Sequence, residues 1–162
     1  MKPSTENSSA PATETFARLL GETGRTWRTR LDERLKPLGL SQAKWLALLY
    51  LHRGGDGMTQ TRLAAGLGIE GATLTSLLDR LGRDGYVSRR ESAHDRRSKT
   101  VHLTPAALKT IRKITAIAAE LRGELLAGIS ARDLRVCIRT LQRIRAAADE
   151  LSRKPRRREV SR

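Results

Sequence analysis

Cysteine, aromatic side chains and long apolar runs are all scarce in this sequence of 162 residues, and each scarcity closes off a class of protein. The lone cysteine, Cys137, can form neither an internal disulfide nor a cysteine-based zinc site, and three scattered histidines supply no ligand set. No metal and no cofactor is expected. Phe, Trp and Tyr together make up 3% of the chain, few for the stacking platforms on which single-stranded RNA readers depend. The apolar stretches are a few residues long, far below the ~20 that span a bilayer, and the N-terminus MKPSTENSSAPATET lacks the charged-then-apolar layout of a signal. A cytoplasmic location is the expectation. GxGxxG, Walker, HExxH and GxSxG motifs are missing too, and no nucleophile, base or metal set converges, so an enzyme is not expected.

Positive charge is what the chain has in excess: 32 Lys and Arg against 17 Asp and Glu, a net +15. That balance points to a polyanionic partner, with nucleic acid ahead of anionic membrane. The length suits one domain with tails. Residues 1–13 are Ser, Thr, Pro, Ala and Asn with almost no bulky apolar side chain, which predicts a disordered N-terminal tail. Residues 153–162 read RKPRRREVSR and predict a basic disordered tail that adds nonspecific nucleic-acid affinity.

Between the tails, residues 14–152 read as mainly α with a small β-hairpin. Phe16, Leu20, Trp27, Leu31 and Leu35 recur at helical spacing, and a second helix follows the N-cap Ser41 with Trp45, Leu48 and Leu49 on one face. Both are expected to build the core. Thr59 caps a short third helix, Gly66-Leu67-Gly68-Ile69 turns the chain, and a helix over 71–84 carries Leu74, Leu77, Leu78 and Leu81 without a miss in the i, i+3, i+4, i+7 pattern. Its other face, with Ala72, Ser76, Asp79 and Arg83, is expected to stay wet. Gly85 ends it. Tyr86 to Arg90 and Lys99 to Leu103 alternate as two strands of a hairpin with a basic tip. Thr104-Pro105 then starts a long helix with Leu108, Ile111, Ile114, Ala118, Leu121 and Leu125 on a seam. Ser130 opens another, seamed by Leu134, Ile138, Leu141, Ile144, Ala148 and Leu151, and such heptad-like seams predict packing on the first helix and on a second subunit. Cys137 is expected to be a small buried hydrophobe, and His94 and His102 to sit at the surface without a role.

Thr59 to Leu103 is the informative unit: short helix, glycine turn, amphipathic helix, basic hairpin. A helix-turn-helix holds its second helix by an apolar stripe and offers the opposite face to the major groove. Small side chains at Thr73, Thr75 and Ser76 allow close approach to base edges, and Arg80 can reach a phosphate. Thr59, at the start of the preceding helix, joins them. In the hairpin over 88–99, Arg97 is the candidate for a narrow minor groove, Arg96 for a phosphate contact or structural pair, and Asp95 for local support of the wing.

The runs SQAKWLALLYL and MTQTRLAAGLGIEGATLTSLLDRLGRDGYVSRRESAHDRRSKTVHLT resemble the winged helix-turn-helix core of the MarR family of bacterial transcription regulators, nearest its SlyA-like branch, with Asp95-Arg96-Arg97 the most specific part. The likeness extends from Phe16 to Leu151. It implies a homodimer whose dimerisation region is 14–36 and 104–152, with winged helices at 59–103 gripping a pseudo-palindromic operator, a repressor relieved by a small aromatic, phenolic or anionic effector. It also implies that Thr73 and Ser76 are recognition contacts and Arg97 the minor-groove arginine. Trp27, Ser41, Trp45 and His52 border the implied effector pocket. Two departures stand out: the SlyA-like pattern has an arginine where this chain has Ser76, and the thiol of peroxide-sensing members near the start of the first helix has no counterpart here. Against this reading stand a small basic RNA-binding or ribosome-associated protein, which charge and size also suit, and an enzyme.

Overall fold

Residues 12–91 and 99–153 are described by the computed structural model of the chain. The elements in order are α1 (Ala12–Leu35), a 3-10 turn (Lys36–Leu38), α2 (Gln42–Gly54), β1 (Met58–Thr59), α3 (Gln60–Leu67), α4 (Gly71–Arg83), β2 (Val87–Glu91), β3 (Lys99–Leu103), α5 (Pro105–Leu126) and α6 (Ala131–Arg153). The described residues fall into two compact units, one up to Leu121 and one from Arg122.

In the first unit the core gathers Leu31 and Leu35 of α1, Trp45, Ala47, Leu48 and Leu51 of α2, Leu63 of α3, the four leucines of α4, Met58, Val87 and Val101 of the sheet, and Ala107, Ile111, Ile114 and Leu121 of α5. Helix α1 enters this core only through its C-terminal half. Phe16, Leu19 and Leu20 are exposed, so its stripe is continuous in sequence and divided in burial. The helix also starts at Ala12, so Ala12 and Thr13 belong to it rather than to a tail, their N–H groups being among the first four that need no partner inside a helix.

The hairpin is not alone. Met58–Thr59 adds a third strand, giving the antiparallel order β1-β3-β2, with Met58 opposite Val101. A two-residue strand is too short to show alternation, which is why the sequence pattern yields only two strands. Between β2 and β3 the register runs from Val87 opposite Leu103 to Glu91 opposite Lys99. Thr104 closes the base of this hairpin: its N–H bonds Tyr86 O at 3.0 Å and its hydroxyl donates to Gly85 O at 2.7 Å. The same hydroxyl oxygen accepts from Ala107 N at 3.2 Å, capping α5 with Pro105 in the first turn.

In the second unit, Ser130 caps α6 by accepting from Asp133 N at 3.1 Å. The stripe Val136, Ile138, Leu141, Ile144 and Leu151 is exposed along it, and Cys137 is exposed rather than buried, since it lies among those exposed side chains of α6. Among the described residues no helix is long and apolar enough to cross a membrane, and no cluster of His, Cys, Asp and Glu is placed to hold a metal.

Candidate DNA interface

The turn between α3 and α4 rests on two glycines with different duties. Gly66 lies under the ring of Tyr50, and a Cβ there would meet that ring and force it aside. Gly68 takes the left-handed conformation at φ +65 and lets Ile69 N bond back to Ala64 O at 3.1 Å. Thr59 caps α3 as expected, its hydroxyl oxygen accepting from Arg62 N at 3.3 Å. Ser41 takes the extended N-cap backbone of α2, but its side chain makes no capping bond.

Helix α4 buries Leu74, Leu77, Leu78 and Leu81 and exposes Ala72, Thr73, Thr75, Ser76, Asp79, Arg80 and Arg83. The Thr75 hydroxyl donates to Gly71 O at 3.0 Å, which occupies its proton and leaves its oxygen able to accept. At the N-terminus Glu70 has cap geometry without a side-chain bond. Beside it a groove of about 450 Å³ is lined by Gln60, Thr61 and Ala64 of α3 and by Glu70, Gly71 and Thr75. Gln60 Nε2 is buried without a hydrogen-bond partner. Gln60 and Thr61 were not among the expected contacts; their place directly after the Thr59 cap is the signal that puts them in the first turn of α3.

The C-terminal end of α4 leads straight into the wing. Asp84 N bonds Arg80 O at 3.0 Å, Gly85 adopts φ +74, and Tyr86 N reaches back to Leu81 O at 2.9 Å, so one residue later β2 begins. Two ion pairs join this end to its neighbours: Lys44 of α2 to Asp84 at 2.6 Å, and Arg89 of β2 to Asp79 of α4. At the other side of the sheet, His102 Nδ1 lies 2.9 Å from Asp56 Oδ2 and His102 Nε2 lies 3.0 Å from Thr100 Oγ1. His102 is thus largely covered and bonded on both nitrogens rather than idle at the surface. The hydrogen bond from His102 holds the Asp56 carboxyl below its ordinary 3.8, aided by the charges of His102 and Arg90 and the Gly57 N–H.

The expected contacts fall as follows. Thr73, Thr75, Ser76 and Arg80 share α4 and are all exposed, and Thr59 is half-buried at the start of α3. Asp95, Arg96 and Arg97, with His94, lie outside the described residues. Of the four residues expected around an effector, Ser41 and Trp45 lie one helical turn apart, with Trp45 N bonding Ser41 O at 3.1 Å. Trp45 is a core residue, 3% exposed, with Nε1 donating to Asp32 Oδ1 at 3.2 Å. Trp27 is half-buried against that core, and Ser41 is exposed. His52 lines a groove of about 400 Å³ with Leu108, Ile111, Arg112 and Thr115 of α5, which holds none of the other three.

An α3-turn-α4 unit with a buried leucine stripe, an exposed polar face and an adjoining antiparallel wing defines a winged helix-turn-helix protein. Residues 38–98 match the MarR family profile. The solved transcriptional regulator PA3341 is 47% identical, over 83% of this chain and 98% of that one, with a TM-score of 0.77. A MarR transcriptional regulator from Methanosarcina mazei is 25% identical over 85% of this chain and 99% of its own, also at 0.77. Staphylococcus aureus MepR, solved as a DNA complex, is 24% identical over 82% and 98%, at 0.71. The chain belongs to the MarR family and is a DNA-binding transcriptional regulator, a non-enzymatic class.

Proposed function

We propose that the protein acts as a homodimer on a pseudo-palindromic operator, with α4 in the major groove, the β2–β3 wing in the minor groove, and a small aromatic or anionic effector relieving binding. The observation that carries the DNA reading is the exposed face of α4, where Thr73, Thr75 and Ser76 are short enough for base edges to approach and Arg80 is long enough to reach a phosphate. MepR, a protein of the same fold, has been solved with DNA, which supports DNA as the partner. Thr59 contributes at the start of α3, Arg96 and Arg97 contact phosphate and minor groove, and Asp95 supports the wing. The Asp95-Arg96-Arg97 run favours kinship with the SlyA-like branch.

Dimerisation is supported by the apolar side chains that the single chain leaves exposed, Phe16, Leu19 and Leu20 on α1 and Ile138, Leu141 and Ile144 on α6, because stripes of that kind mark association surfaces. The helices over 14–36 and 104–152 supply them. The effector reading draws on the His52 groove, where Arg112 and the apolar Leu108 and Ile111 suit an aromatic carboxylate. Titrating salicylate against operator affinity and Trp fluorescence tests it, and no change in either at millimolar concentration overturns it for that class.

Selection of a duplex from a randomised pool, followed by footprinting and sedimentation, tests the whole. A dimer protecting an inverted repeat with half-sites about 10 bp apart is expected. A monomer that prefers structured RNA overturns it. Arg97→Ala should weaken binding and lower the slope of log K against log salt by roughly 1 per subunit.

A further inference from the structure

Asp79 is an acidic side chain on the surface that faces DNA. It follows Thr75 by four residues and Ser76 by three, so all three share one side of α4. A carboxylate there, left to itself, repels phosphate and weakens binding to any duplex. It is not left to itself: its oxygen accepts from the guanidinium of Arg89, ten residues on and at the middle of β2. We propose that Asp79 is a positioning residue for DNA recognition, tying the wing to the recognition helix through Arg89. This rests on α4 and the wing binding DNA together, as set out above.

The leucine stripe fixes how deeply α4 sits in the core, since Leu74, Leu77, Leu78 and Leu81 are all buried. Apolar packing is non-directional, so it restrains the wing's stance against α4 less than a charged, directional pair does. The left-handed turn at Gly85 is itself held by Thr104 through Gly85 O and Tyr86 O, so the Asp79–Arg89 pair acts farther along, where β2 leaves α4. Lys44–Asp84 fastens the end of α4 to α2, and Asp79–Arg89 fastens its middle to β2. The described base of the wing is then held in one stance against α4, and a duplex that meets both is read for both at once. Arg89, engaged by Asp79, is accordingly not one of the cations that neutralise phosphate.

Asp79→Asn separates this from the alternative by the sign of the effect. If Asp79 is only an exposed acid, removing its charge tightens binding to every duplex and leaves discrimination unchanged. If it positions the wing, affinity for the duplex selected by the wild-type protein falls relative to a scrambled duplex, by about two- to fivefold, the range of a partly exposed ion pair. Asp79→Glu, which keeps the charge, should retain discrimination. Arg89→Gln should lose it to the same extent with the salt slope unaltered, and the double variant should lose no more than either single one, because the two act as one unit. Melting temperatures of the variants show that the loss is not unfolding, and Arg89→Gln asks the same question from the wing if Asp79→Asn is too unstable to use. The inference is overturned if Asp79→Asn binds both duplexes more tightly with their ratio unchanged, or if Arg89→Gln lowers the salt slope by about one, as loss of a phosphate contact does. A wild-type protein that enriches no duplex overturns the DNA reading itself, a result distinct from either.

Discussion

Helix α4 carries Leu74, Leu77, Leu78 and Leu81 along one side, none more than 2% exposed, while α6 carries Ile138, Leu141 and Ile144 at the same helical spacings, none less than 40% exposed. Both sequences repeat apolar residues every three or four positions. The pattern states that a face is to be covered, and it is silent on which chain covers it. For α4 the cover is encoded nearby: α2, α3 and the strands lie within forty residues of it in sequence and supply Leu48, Leu63 and Val87 to the same core. For α6 the cover is a second copy, in the reading proposed above.

The comparison breaks or holds on matched substitutions. Leu78→Ala should have the largest effect, destabilising the fold by about 2–5 kcal/mol in urea denaturation, because a fully buried leucine leaves a cavity that a packed core closes only in part. Its cost relative to wild type should not change with protein concentration. Leu141→Glu should behave in the opposite manner. It leaves the core of residues 12–121 intact by circular dichroism yet weakens dimerisation by roughly a hundredfold, about 2.7 kcal/mol, by forcing an unpaired charge into an apolar interface. The concentration dependence of the melting temperature should disappear with it. If Leu141→Glu unfolds the dilute protein as Leu78→Ala does, α6 is buried by its own chain and the contrast with α4 is wrong.

The same contrast explains what could be read in advance. The α3-turn-α4 unit was legible because its signals are local and agree with one another: the Thr59 cap, the Gly66 to Gly68 turn, four leucines in step and a glycine stop at Gly85. Features that depend on distant partners were not. The strand Met58–Thr59 exists because Val101 lies opposite it, forty-three positions on, and two residues carry no periodicity of their own. His102 looked idle because nothing near it in sequence announces Asp56, which meets it from the loop before β1. Trp45 was expected on a core-building face as well as beside an effector, but nothing near it in sequence announces Asp32 of α1, which accepts its indole N–H. Exposure within α1 and α6, and the place of Cys137, likewise depend on what a helix packs against rather than on its own pattern.

The Asp56–His102 contact offers the smallest effect and the finest test of the comparison. Its hydrogen bond lowers the folded-state pKa of Asp56 below 3.8, so the bond adds stability that is fully present above the unfolded value and is lost as the pH falls through the lower folded one. The window lies below pH 3.8, on the acid side only. Asp56→Asn should therefore be less stable than wild type at pH 6, and the difference in urea midpoint should shrink as the pH is taken below 3.8. Asp56 is open to water, so the whole difference should be smaller than those at Leu78 or Leu141. The contact ties the loop before β1 to β3, beside the α4 unit, and the proposed dimer face of α6 does not use it. Sedimentation at pH 6 should accordingly give Asp56→Asn and wild type the same monomer–dimer constant. A midpoint difference that grows on acidification contradicts the sign of the linkage, and a weakened dimer at pH 6 contradicts the independence of the two faces.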